Sequence, residues 1–164
     1  GFALAAATLG FLPWNFPRAR LFMGDVGSGA IGFAVGALVA MAVAGAGARA
    51  LPLALLPLSA FLLDTGLTLA RRLWRGERWW EPHVTHAYQA AARRHGHIRT
   101  TLAFMVWTAA TATIALVCRD AGFTSIIIAL TAVYMLGAGA WRWLPGAGRV
   151  AGSAKEGNDD DRVA

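Results

Sequence analysis

The chain has 164 residues, of which 57% are hydrophobic and 15% charged, with a net charge of +6. Ordinary soluble domains are about 45–50% apolar and 25% charged, so a predominantly disordered chain is excluded. The single cysteine, Cys118, excludes an internal disulfide and a cysteine-based zinc site.

The apolar residues fall in long uncharged blocks, at residues 1–17, 26–46, 100–118 and 121–141. Each is close to the ~20 helical residues that cross a bilayer core. The first helical segment, residues 1–12, opens on Gly1 and not Met, with no basic n-region and no small-residue cleavage site. It therefore does not read as a signal peptide; it reads as a span cut short, in a piece of a longer protein. In the second segment, 26–46, Ser28, Gly32, Gly36, Ala40 and Ala44 recur every four residues and make a smooth stripe that another helix can approach, unless the chain is merely rich in Gly and Ala. The third, 50–73, is interrupted by Asp64 and carries Pro52 and Pro57 in its first half. Proline is tolerated in membrane helices where neighbours satisfy the freed carbonyls. Segments at 99–118 and 122–142 complete the series. The predicted fold is all-α, a polytopic integral membrane protein of about five transmembrane helices, the first one truncated. The tail, residues 144–164, is small, polar and charged, a composition too poor in apolar area to offset ordering, and is predicted to be disordered.

Basic residues set the orientation. Arg18, Arg20, Arg71, Arg72, Arg75, Arg78, Arg93, Arg94, Arg99, Arg142, Arg149, Lys155 and Arg162 fall on one side of the alternating spans, and only Arg49 and Arg119 on the other. The positive-inside rule then puts the 13–25 loop, the long 74–98 loop and the tail in the cytosol. The connections at 47–49 and 119–121 become short external turns. Trp14, Trp74, Trp79, Trp80, Trp141 and Trp143 lie at the same helix ends, as interfacial indoles do. The charge is thereby accounted for without nucleic acid.

Two loop stretches could carry chemistry. In the first, Asn15 to Ser28, a carboxylate, Asp25, sits between Gly24 and Gly27 where a membrane helix opens. Glycines let the backbone approach a ligand, and a helix N-terminus favours phosphate. A hard oxygen beside phosphates suits Mg²⁺, which takes one or two carboxylates plus substrate oxygens. The structural alternative is that Asp25 or Ser28 is a helix N-cap. The second stretch holds Asp64-Thr65, then Arg71, Arg72, Arg75 and Arg78, then His83 and His86 with Tyr88-Gln89. Arginines suit bidentate phosphate recognition; the alternative for each is a topological stop signal. Asp64 inside a span marks either function or a structural hydrogen bond. A zinc cluster of His83, His86, His95 and His97 is a weak reading without Cys or a His-Glu-x-x-His helix. Asp159 to Asp161 read as a solvated acidic run.

Together these stretches resemble the polyprenyl-phosphate sugar-1-phosphate transferases, glycosyltransferase family 4, whose members start O-antigen, enterobacterial common antigen and teichoic acid linkage units, with the peptidoglycan MraY enzymes as relatives. The matching residues are Gly10 to Pro17, Ala19 to Ser28, Asp64-Thr65, Arg71-Arg72 and His83-x-x-His86-x-Tyr88-Gln89, over roughly residues 1–105. The resemblance is nearer to the O-antigen initiating branch than to MraY, which has consecutive histidines. Departures are Pro17-Arg18-Ala19 for Pro-Pro-Ala and His86-Ala87-Tyr88-Gln89 for His-Leu-Tyr-Gln. An adjacent aspartate pair and an Asn- and Asp-rich motif that the family carries upstream have no match.

Residues 1–143 are therefore expected to be the C-terminal part of such a membrane-embedded domain, with cytosolic catalytic loops, in the bacterial inner membrane, and inactive alone. The resemblance implies that an undecaprenyl phosphate oxygen attacks the β-phosphorus of a UDP-N-acetylhexosamine and releases UMP. It implies Asp25 as ligand of Mg²⁺, with Mn²⁺ as a substitute, and His86 as a catalytic group. His83, His86, Arg71, Arg72, Arg75 and Arg78 become substrate contacts, and a homodimer is compatible. The competing classes are a helical transporter or scaffold and a degenerate remnant of the transferase.

Overall fold

The structure is a computed structural model that describes residues 1–21, 23–74, 76 and 87–143; the expected tail and His83, His86, Arg75 and Arg78 lie outside the described residues. Among the described residues there are seven α-helices and no strand: α1 (Phe2–Asn15), α2 (Gly24–Ala46), α3 (Ala50–Leu55), α4 (Ser59–Trp74), α5 (Ala87–His95), α6 (His97–Val117) and α7 (Phe123–Trp143), with one 3₁₀ turn at Cys118–Asp120. The all-α membrane fold expected from the sequence is what forms.

Three helical stretches are long and apolar enough to cross a membrane: Gly24–Ala46, His97–Asp120 and Phe123–Arg142. Helix α1, at 14 residues, reaches only ~21 Å. Pro13 lies inside it and withholds one amide, and the Phe16 amide closes the last turn on the Leu12 carbonyl at 2.8 Å. Helix α2 has no buried residue, and Val26, Phe33 and Met41 stand out from it. Such an apolar exterior suits hydrocarbon.

The third expected segment is bent. Pro52 falls in the first turn of α3, where a missing amide costs nothing, but Pro57 cannot donate to the preceding turn, and the helix stops at Leu55 and restarts at Ser59. The Ser59 amide, which would bond to the Leu55 carbonyl in a continuous helix, bonds to that of Leu56 at 3.1 Å. The orphaned Leu55 carbonyl instead accepts a hydrogen bond from the Tyr134 hydroxyl of α7 at 3.1 Å. The Trp107 indole of α6 donates to the Ser59 hydroxyl at 3.0 Å. The bend is thus held by the two helices packed against it, and Leu56, Ser59 and Ile126 around it are fully buried. Without water, an unsatisfied carbonyl is expensive, so Tyr134→Phe is expected to destabilise the chain in detergent by ~1–3 kcal/mol, read as a lowered denaturation midpoint. An unchanged midpoint would show that the Leu55 carbonyl finds another donor.

The short turns come together as the charge pattern predicts. The Arg49 guanidinium donates to the carbonyls of Arg119 and Ala121, at 3.0 and 2.7 Å, tying the 47–49 and 119–121 connections at one end of the bundle. At the other end the sequence reading anticipates only loop between 74 and 98, yet residues 87–95 form a helix. Helix α5 is short and basic, and it folds because Ala91 and Ala92 bury against its neighbours, α4 and α6.

Candidate functional site

Asp25 lies in the first turn of α2, exposed. Gly24 before it has φ 67°, a conformation that a side chain would strain, and this turn aims the chain from the 16–23 loop into the helix. Met23 occupies the N-cap position and no side chain caps the helix; the Ser28 hydroxyl donates back to the Asp25 carbonyl at 3.2 Å. Neither Asp25 nor Ser28 is therefore the cap that the alternative reading required. Among the described residues the Asp25 carboxylate has no hydrogen-bond or ion-pair partner, and the first-turn amides have no side-chain acceptor. A carboxylate at an open, positive helix end is oriented but unspent. Among the described residues no three His, Cys, Asp or Glu side chains gather. One free hard oxygen fits Mg²⁺, which keeps waters and substrate oxygens as its other ligands, better than a caged metal.

Beside this helix start lies an apolar groove of about 400 Å³ between α1 and α2, lined by Leu4, Phe11, Met23, Gly27 and Ile31 among others. Arg71 and Arg72 sit in the last turn of α4, half-buried, each engaged in an interaction within the molecule. Cations there also complement the helix dipole.

Asp64 of α4 is buried, and the Trp141 indole of α7 donates to its Oδ1 at 3.3 Å. The structural alternative for Asp64, a bond to a neighbouring helix, is realised. It borders a small apolar cavity of about 210 Å³ with Trp107 and Gly137.

One feature that sequence reasoning missed is a cleft of about 640 Å³ between the 15–19 loop and the α5–α6 junction, lined by Asn15, Arg18, His95, His97 and Arg99 among others. Arg18 and Arg99 had counted only toward topology and the histidines only toward zinc. The signal present in the sequence was His95-Gly96-His97 flanked by arginines at a helix start.

The architecture defines a helical membrane protein with an anion-favouring helix start and a basic cleft beside its arginine-rich helix ends. Residues 1–43 match the family model for glycosyl transferase family 4. The chain is 36% identical over 117 residues to a decaprenyl-phosphate N-acetylglucosaminephosphotransferase of Mycolicibacterium smegmatis, covering 63% of this chain and 29% of that protein. It is 35% identical over 117 residues to the protein of the same name from Mycobacterium tuberculosis, again 63% of this chain and 29% of that one. It is also 59% identical over 39 residues to a phospho-N-acetylmuramoyl-pentapeptide-transferase of Moorella thermoacetica, 24% of this chain and 12% of the relative. The chain spans 29% of the length of the mycobacterial relatives. No solved structure matches it. The chain is similar to polyprenyl-phosphate sugar-phosphate transferases of glycosyl transferase family 4.

Proposed function

We propose that this chain forms part of an enzyme that moves a sugar-1-phosphate from a UDP-N-acetylhexosamine to a polyprenyl phosphate and releases UMP. The observation that carries the reading is the Asp25 carboxylate, without a partner among the described residues, at a helix start with no side-chain cap, within the segment that matches the family model. The mycobacterial relatives' names support N-acetylglucosamine as the sugar and a polyprenyl carrier of the decaprenyl phosphate kind, and the resemblance supports undecaprenyl phosphate. The proposal includes initiation of a cell-envelope polysaccharide of O-antigen type, for which the resemblance is the support, at the inner membrane with the Arg-rich end in the cytosol, for which the charge asymmetry is the support.

In the reaction an oxygen of the lipid phosphate attacks the β-phosphorus, the bond from that phosphorus to the UMP oxygen breaks, and UMP leaves with the bond pair. Such transfer is chiefly positioning and charge neutralisation. Asp25 would hold Mg²⁺, which when bound neutralises diphosphate oxygens. The open first turn of α2 presents amides to the same anion. His83 and His86 would contact the diphosphate or the departing UMP, His86 as the catalytic group, with Arg71, Arg72, Arg75 and Arg78 as further contacts. The apolar groove of α1 and α2 offers a path for the carrier's tail next to Asp25.

The transporter reading has less support, because the buried carboxylate of Asp64 is engaged by Trp141. The test is UMP release by membranes expressing the longest product of the gene, supplied with UDP-N-acetylglucosamine and undecaprenyl phosphate. His86→Ala is expected to slow release by ~10²-fold or more. Full activity in that variant would remove the histidine from the chemistry, and no UMP release by the unaltered protein from any UDP-N-acetylhexosamine would overturn the reading.

A further inference from the structure

The cavity of about 210 Å³ between α4, α6 and α7 has no part in the proposed transfer, yet its lining is selective. Phe104, Trp107 and Trp141 supply aromatic rings, and Asp64 is the one charged side chain among the described residues that line it. The walls are held in place: the Trp141 indole donates to Asp64 Oδ1 at 3.3 Å and the Trp107 indole to the Ser59 hydroxyl at 3.0 Å. With both N–H groups engaged, the indoles offer a guest ring surface only. Asp64 is buried and is engaged elsewhere in the molecule besides Trp141. An ionised carboxylate accepts about four hydrogen bonds across its two oxygens, so a further donor can join without displacing the indole. Apolar walls, aromatic rings and one carboxylate suit an organic ammonium ion, because the rings attract the cation and the charge separates it from neutral guests.

Size and access narrow the guest further. Apolar cavities of ~150 Å³ hold benzene, so this one has room for a single ring with a short arm. Ala103 of α6 and Ala140 of α7 line the cavity and are exposed, so it opens between those two helices past small side chains. Trp141 is followed by Arg142 and Trp143, which end α7. An ammonium group near such an end stays close to the water interface and avoids the hydrocarbon centre, where a charge is costly. We propose that this cavity binds a small lipid-soluble primary amine, with its apolar body among Phe104, Trp107 and Trp141 and its ammonium group on Asp64. The site uses neither Asp25 nor the histidines and arginines of the transfer, and stands whether or not that reading does.

The experiment follows the ¹⁹F signals of fluorotryptophan-labelled full chain in neutral detergent, assigned by single Trp→Phe replacements. The probes are benzylamine and its neutral counterpart of the same shape, benzyl alcohol. Benzylamine is expected to shift Trp107 and Trp141 saturably while Trp14 and Trp74 stay in place, and to bind at least ~10-fold more tightly than the alcohol. Asp64→Asn, which keeps an acceptor for the Trp141 indole, is expected to weaken benzylamine at least ~10-fold and to leave the alcohol unchanged. The unchanged alcohol separates loss of the charge from a folding defect. Ala140→Leu, at the exposed mouth, is expected to weaken both probes alike. Unmoved Trp107 and Trp141 signals, shifts shared by Trp14 and Trp74, equal affinity for the alcohol, or full benzylamine affinity in Asp64→Asn would overturn the proposal.

Discussion

Asp25→Asn is expected to reduce Mg²⁺-dependent UMP release by at least ~100-fold, the scale on which one preorganised electrostatic partner acts in a transition state. The side chain keeps its size and still suits a first helical turn, so folding should be preserved. Among the described residues the Asp25 side chain makes no bond that Asn would break, since only the Asp25 carbonyl is used, by Ser28. What changes is the charge and one oxygen, the two properties a hard cation requires. Asp25→Glu keeps both at a different reach and should retain a fraction of the rate. Raising Mg²⁺ should rescue Glu before Asn. If the asparagine variant turns over normally while its thermal denaturation matches the unaltered protein, Asp25 holds no metal in the reaction.

The spans were legible because hydrocarbon admits so few alternatives: an uncharged block of helical length has one stable use. Asp25 was legible for another reason, a carboxylate between glycines at a block's edge being rare in a chain with so few acids. Helix α5 was not, since its AYQAAARRH segment carries three basic residues and gains its stability only from the burial of Ala91 and Ala92. Pro57 announced a disturbance, but not its remedy. That Tyr134 satisfies Leu55 and Trp107 satisfies Ser59 depends on which helices become neighbours, and a periodic pattern carries no such pairing. The basic cleft escaped for the same reason. Arg18 and Arg99 each read as topology in the sequence, and only the fold brings the two to one cleft.

Gly137→Val is expected to be the most damaging substitution in the packed part of the bundle, at ~3 kcal/mol or more, because overpacking forces side chains out of their rotamers. Gly137 of α7 is buried where α4 and α6 approach, and a β-carbon there would run into Leu63 Cδ1 and come within 3.2 Å of Trp107 Cζ2. The two neighbours differ in what they can give. Leu63 borders the cavity of about 210 Å³ and can swing into it. Trp107 is fixed by its bond to Ser59 at the bend, so pushing it breaks the hydrogen bond that holds the bend. Gly137→Ala should therefore cost about 1 kcal/mol, mostly through Leu63, while valine's branches reach the indole as well. Leu63→Ala costs ~2–5 kcal/mol at a buried site and less at this half-buried one. Combined with Gly137→Ala it should cost less than the sum, with a coupling of ~0.5–1 kcal/mol, because the first change makes room for the second. Denaturation midpoints in detergent for the four proteins of that cycle measure the coupling directly. Strict additivity would mean that α7 shifts away as a body and that the contact with Leu63 does not set the helix spacing.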